Sequence, residues 1–186
     1  MGVRALFLVG FMASGKSSVG QELARRLHWQ FLDLDSLIEA REKQSVPGIF
    51  ATRGESGFRG AETAALRDLL TCPPQDCVIA LGGGAFAEET NRRILENCKS
   101  IFLEAPADEL WRRSQQDVQE RPLRKNREQF ARLYEERLPY YRLASHTVNT
   151  FGKNVASICI EIESLLREAG DSSDVSAAHP SRGESL

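Results

Sequence analysis

An α/β domain, with a parallel sheet of five strands and helices on both of its faces, is the fold the sequence predicts. Two observations carry that reading. Short, uniformly apolar runs alternate with longer amphipathic stretches, and glycine-rich turns close two of the runs. Strands separated by helices pair in parallel through right-handed crossovers. Ala5 to Val9 is too short and too evenly apolar for a surface helix and reads as a buried strand. Residues 15–27 read as a helix, with Val19, Leu23 and Leu27 on one stripe. Phe31 to Leu34 is a second strand, followed by short helices over 36–43 and 47–53 and a longer one over 57–70. Pro73-Pro74 closes that region, and Val78 to Leu81 is a third strand running into Gly82-Gly83-Gly84. A helix over 88–97, a strand over 100–103, a helix from Asp108, a polar loop over 114–125 and a helix over 127–143 follow. Residues 147–149 make a short fifth strand, and Val155, Ile158, Ile162 and Leu165 mark the last helix. One domain over 1–170 is expected. The tail over 171–186 has five Ser and four apolar residues, too little apolar surface to offset ordering, and is expected to be disordered.

Composition narrows the function classes. Of 186 residues, 24 are basic and 26 acidic, a net charge of −2 that argues against a general nucleic-acid binder. No apolar run approaches the about 18 residues of a membrane span. The short apolar run over 4–10 ends in a glycine-rich turn and not in a leader cleavage site. Cys72, Cys77, Cys98 and Cys159 form no C-x-x-C, and no His stands near a pair of them. Neither a zinc site nor a secreted disulfide framework is expected, and reduced thiols in a cytoplasmic protein are.

The strongest chemical signal is Gly10-Phe-Met-Ala-Ser-Gly15-Lys16-Ser17, which fits G-x-x-x-x-G-K-[ST] between a strand and a helix. Its glycines let successive N–H groups face one anion, and the helix N-terminus adds partial positive charge. The three-layer P-loop fold follows. Ala13, Ser14, Gly15, Lys16, Ser17 and Ser18 are the expected nucleotide-phosphate contacts. Lys16 can reach the β- and γ-phosphates, and the Ser17 hydroxyl can ligate Mg²⁺.

The acceptor side is read from four features. Asp33 and Asp35, at i and i+2, fall on one side of a strand end, where open α/β sheets bind ligands. Asp33 would hold hydrated Mg²⁺ and Asp35 a substrate hydroxyl; the alternative is a helix cap at Asp35 or Ser36. Gly82-Gly83-Gly84 suits close approach of backbone to a small ligand. Arg137 lies within the apolar stripe of Phe130, Leu133, Tyr134, Leu138 and Tyr141, with Pro139 set to break or kink the helix. An inward guanidinium needs an anion, either a protein carboxylate or a ligand. Arg59, with Glu62 at i+3, could be an ordinary helix-surface ion pair. From Arg112 to Arg142 there are nine basic and five acidic residues, centred on Arg121-Pro122-Leu123. A polar, basic segment of this kind suits a mobile lid over phosphates, spanning about 114–125.

Together these motifs resemble the shikimate kinase family, in the nucleoside-monophosphate-kinase-like branch of P-loop proteins. The matching elements run in order from about residue 5 to 165: the P-loop, D-x-D at 33–35, G-E-x-x-F-R-x-x-E at 54–62, the glycine triplet with Ala85, Asn91-Arg92, Arg121-Pro-Leu and R-x-P-x-Y at 137–141. The resemblance implies transfer of the ATP γ-phosphoryl group to the 3-hydroxyl of shikimate, in the pathway to chorismate and the aromatic amino acids. It implies that Asp35, Arg59, Gly82, Gly83, Gly84 and Arg137 meet shikimate, with Arg59 and Arg137 on its carboxylate. It places Arg121 on the transferring phosphate, Arg113 near adenine, and Ser17 and Asp33 at Mg²⁺. The catalytic set is Lys16, Asp35 and Arg121, and a monomer is expected. The family often has Gly where Ala13 stands, Thr at Ser18 and Leu at Arg124, and here the lid lacks glycine. A gluconate kinase is the nearest rival, but its neutral sugar would not explain two separated arginines and the glycine triplet. A regulatory domain without catalysis would be expected to lose Lys16, Asp35 or Arg121, and all three are present.

Overall fold

Every strand of the sheet begins at the predicted residue or one residue before it. A computed structural model describes residues 5–71, 76–116 and 126–174. The strands β1 (Ala5–Val9), β2 (Gln30–Asp33), β3 (Cys77–Ala80), β4 (Lys99–Glu104) and β5 (His146–Asn149) lie in the order β2-β3-β1-β4-β5. All four pairings are parallel. The helices are α1 (Lys16–Leu27), α2 (Leu34–Glu42), α3 (Val46–Thr71), α4 (Glu89–Ile94), α5 (Ala107–Gln116), α6 (Arg127–Tyr141) and α7 (Val155–Asp174).

The central strands β1 and β3 read as continuous apolar runs because both faces of the sheet are covered there. Alternate residues of β1 feed two separate cores. Phe7 and Val9 pack with Leu34, Ile49, Leu66, Leu110, Phe130 and Tyr141, from α2, α3, α5 and α6. Leu6 and Leu8 pack with Val19 and Leu23 of α1 and with Ile158 and Ile162 of α7. The register sets the ends of β1, β2 and β3 level, since Ala80 pairs with both Leu8 and Asp33. The residues that follow those strands therefore emerge at one edge, where parallel sheets carry their ligands.

Several boundaries differ from the sequence reading, among them the end of α4, which stops at Ile94 and not at 97. The predicted helices over 47–53 and 57–70 meet as α3 at Gly54, whose φ of 66° and ψ of −173° are open to glycine at little cost. Helix α5 continues to Gln116, so residues 114–116 of the expected loop are helical. The break expected at Pro139 comes two residues later. Pro139 sits in the last turn of α6, which ends at Tyr141 and not at 143. Helix α7 runs on to Asp174, past the expected boundary at 171, and the rest of the tail lies outside the described residues. No helix among the described residues is long and apolar enough to cross a membrane.

Candidate active site

The chain leaves β1 through Gly10 and re-enters helix at Lys16. Gly15 caps α1 at φ 93°, and no side chain takes up the first amides of the helix. Those N–H groups are left for an anion. Ala13 sits at φ 60°, a left-handed conformation that glycine adopts more easily. The Lys16 ammonium folds over the loop, donating to Gly10 O at 2.8 Å and Phe11 O at 2.9 Å. Gly10 has φ 152°, and a Cβ there would stand 2.7 Å from Ser14 Oγ and 3.0 Å from the Leu103 carbonyl. The backbone oxygen cannot swing aside as a side chain would. Gly10→Ala should therefore destabilise the fold by about 2 kcal/mol, read as a lower denaturant midpoint at unchanged m.

The acidic pair is arranged differently from the strand alternation that suggested it. β2 ends at Asp33, and Leu34 already opens α2. Asp33, and neither Asp35 nor Ser36, is the N-cap. Its Oδ1 accepts from the amides of Asp35 at 3.0 Å and Ser36 at 3.4 Å. Its Oδ2 is turned to the Ser17 hydroxyl, 3.5 Å away. Asp35 lies in the first turn of α2, where a negative charge suits the helix dipole. It faces the glycine triplet, with Oδ1 only 2.8 Å from where a Cβ on Gly82 would be.

Two guanidinium groups flank that triplet. Arg137 Nη1 donates to Gly83 O at 3.3 Å, and its guanidinium lies 5.9 Å over the Phe11 ring. The same carbonyl accepts from the fully buried Tyr141 hydroxyl, which burial pushes up to about 12. Of the two partners left open for Arg137, the structure supplies no ion pair to a carboxylate among the described residues. Arg59 lies against Gly84, where any Cβ would come within 2.4 Å of Nη2. It is paired with Glu62 at 2.9 Å, but this is no surface pair, because Glu62 is 0% exposed. Burial pushes the Glu62 carboxyl up; Arg59 opposes that shift, and Asp35 and Glu88 add to it. Burial pulls Arg59 down, but Glu62, Glu88 and Glu55 outweigh it and hold the guanidinium charged. Arg59 Nε and Glu62 Oε1 are buried without a hydrogen-bond partner among the described residues.

A cleft of about 840 Å³ brings Ala13, Ser14, Gly15, Lys16, Ser17, Ser18, Asp33, Asp35, Gly82, Gly83 and Arg113 together. Arg113 is tied to Glu109 at 2.7 Å and to the Thr150 carbonyl at 3.0 Å, which joins α5 to the segment after β5. Hydrogen bonds from Arg112 and Arg113 hold the Glu109 carboxyl down at about 2. Gly84, Arg59 and Arg137 do not line this cleft. Arg59 opens on a separate depression with Thr63 and Glu88. Arg121 and Arg124 lie outside the described residues. Among the described residues no cluster of three or more His, Cys, Asp or Glu could hold a metal unaided.

Several contributors were missed. Gly152, Lys153, Val155 and Ile158 line the cleft from the segment after β5. That segment carries no phosphate or carboxylate motif that would mark it. The surface ion pair that Arg59 and Glu62 could have made is buried instead, and Ala61, Ala65 and Leu66 around Glu62 signal that buried helix face. Tyr141 stood in the sequence as part of the apolar stripe and of R-x-P-x-Y, and its hydroxyl bond to Gly83 depends on a neighbour far off in sequence.

A parallel sheet in this strand order, with a G-x-x-x-x-G-K-S turn after its central strand, defines a P-loop kinase of the nucleoside-monophosphate-kinase-like branch. Within that class the family model for shikimate kinase matches residues 12–167, and the chain belongs to the shikimate kinase family. It is 42% identical over 158 residues to shikimate kinase from Salinibacter ruber, covering 77% of this chain and 76% of that one. It is 36% identical over 166 residues to shikimate kinase from Persephonella marina, covering 89% of this chain and 100% of that one. The structure of shikimate kinase from Acinetobacter baumannii in complex with shikimate superposes with a TM-score of 0.81. Identity there is 34%, over 90% of this chain and 94% of that one.

Proposed function

We propose that ATP and the acceptor meet across the glycine triplet, with each half of the site holding one of them. The reaction is transfer of the ATP γ-phosphoryl group to the 3-hydroxyl of shikimate, giving shikimate 3-phosphate and ADP. The amides of Ala13 to Ser18 cradle the phosphates, and Lys16 neutralises the β- and γ-phosphates. Mg²⁺ fits here. Asp33 Oδ1 is occupied by two amides, while Oδ2 and the Ser17 hydroxyl remain as a hard-oxygen pair. Ser17 would bind the ion directly and Asp33 through water. When bound, Mg²⁺ supplies positive charge against the phosphate oxygens.

Asp35 accepts the hydrogen bond of the reacting hydroxyl and orients it toward the γ-phosphate. Gly82 to Gly84 let the ring lie close to backbone. Arg59 and Arg137 take the shikimate carboxylate, a task suited to a planar donor fork. Arg121 closes over the γ-phosphate from a lid, and Arg113 lies at the adenine end. A cytoplasmic monomer is the setting proposed.

The observation that carries this reading is the pair of guanidinium groups beside the glycine triplet, Arg137 on Gly83 and Arg59 on Gly84. Arg59→Ala or Arg137→Ala should raise the KM for shikimate roughly ten- to hundredfold, the worth of a charged hydrogen bond. The KM for ATP should change far less. Steady-state kinetics with each substrate varied in turn checks this, and equal effects on both would make the arginines structural.

A further inference from the structure

Asn91 is fully buried at the start of α4, and every polar atom of its side chain is used. Oδ1 accepts from the Thr63 hydroxyl at 2.8 Å. Nδ2 donates to the Ala85 carbonyl at 3.0 Å and to Glu62 Oε2 at 3.4 Å. The amide has one workable orientation. Reversed, its oxygen would face a carbonyl and a carboxylate, and its NH₂ would face the hydroxyl. The same Glu62 Oε2 holds Arg59 at 2.9 Å. Ala85 directly follows the glycine triplet, and Thr63 and Glu62 are neighbours on α3. One side chain thus joins the helix that carries Arg59 to the turn that forms the acceptor wall. A buried amide is costly, and an apolar residue of similar size could fill the space. An apolar residue there would leave α3 and the glycine turn unlinked.

We propose that Asn91 is a positioning residue for the acceptor site, clamping Glu62, and through it Arg59, against the glycine turn, with the Thr63 hydroxyl bracing the clamp. This rests on the reading that Arg59 binds the shikimate carboxylate. Without the clamp, Glu62 loses a donor that shares its charge and keeps it in place. Arg59 then follows Glu62 away from Gly84. The cost falls on acceptor binding, because neither Asn91 nor Thr63 lines the nucleotide cleft.

The test is a kinetic series on the full chain with ATP and shikimate. Asn91→Leu is expected to raise the KM for shikimate about tenfold, the loss of hydrogen bonding to a charged group, with the KM for ATP unchanged. Thr63→Val, a milder change, should raise it about threefold, and Thr63→Ser, which keeps the hydroxyl, should restore it to within about twofold of wild type. In an Arg59→Ala background, Asn91→Leu or Thr63→Val should add almost nothing, since the pathway is already cut. If Arg59→Ala raises the KM for shikimate but Thr63→Val does not, the clamp is wrong and the site reading stands. If Arg59→Ala itself leaves that KM unchanged, the reading beneath the proposal fails first. Full additivity in the double variants, or equal losses for ATP and shikimate, would assign Asn91 to stability alone. Thr63→Val and Thr63→Ser keep the question answerable should Asn91→Leu fail to fold.

Discussion

Asp35→Asn should lower kcat about a hundredfold or more, the usual worth of a positioned acid–base group, and leave the KM for ATP near its original value. The substitution keeps shape, removes charge and basicity, and turns one acceptor oxygen into an NH₂ donor. The carboxylate stands in the first turn of α2, pointing at Gly82 from beside the loop that carries Lys16 and Ser17. It therefore faces both the acceptor wall and the phosphate cradle. Asp33, not Asp35, supplies the cap of α2, so the fold should tolerate the change. An unfolding midpoint close to wild type, combined with the kcat loss, separates chemistry from stability. Nearly full kcat would leave Asp35 as an ordinary first-turn acid favoured by the helix dipole.

A larger loss is expected at the lid. Arg121→Ala should lower kcat about a thousandfold, the scale of arginines that stabilise a transferring phosphoryl group. Binding of shikimate alone should change little. The P-loop and the two aspartates cannot cover the outer side of the γ-phosphate, and water must be kept from it during transfer. Trp111 provides the second readout. It lies on α5 and meets Phe130 of α6 edge-on at 5.2 Å, so it touches both helices that flank residues 117–125. Trp29, the other tryptophan, lines a cavity with Ala5 and Leu6, at the start of β1. In a Trp29→Phe background, emission from Trp111 should change when nucleotide and shikimate bind together. A flat signal at saturation, with wild-type kcat for Arg121→Ala, would reduce the segment to a charged surface loop.

The sheet and the nucleotide cradle were legible in the sequence because both are local. Strands buried on both faces, as β1 and β3 are, read as unbroken apolar runs, the pattern of a parallel sheet covered by helices. The P-loop is one contiguous turn whose glycines, lysine and serine act within eight residues. The acceptor side was legible only as residue types. For Arg59 and Glu62 the sequence left a surface ion pair open, because an i,i+3 pair looks alike whether exposed or buried. Asp33 and Asp35 were assigned to one strand, because a period of two cannot reveal that the chain turns into helix between them.

By itself, then, the sequence determined the order of elements, the phosphate-binding turn, the pair of acids, the glycine triplet and the two arginines that resemble the family's pattern. Only the tertiary structure decided which of those groups face one another. It set Arg59 against Gly84, Arg137 against Gly83 and Asp35 against Gly82, gave Asp33 the cap, and closed the buried chain from Thr63 through Asn91 to Glu62. The physical reason is distance along the chain. Hydrogen bonds within a turn are encoded by neighbouring residues. The bond from Asn91 to Glu62 spans 29 residues and that from Tyr141 to Gly83 spans 58, and both exist only once two cores have packed on one sheet.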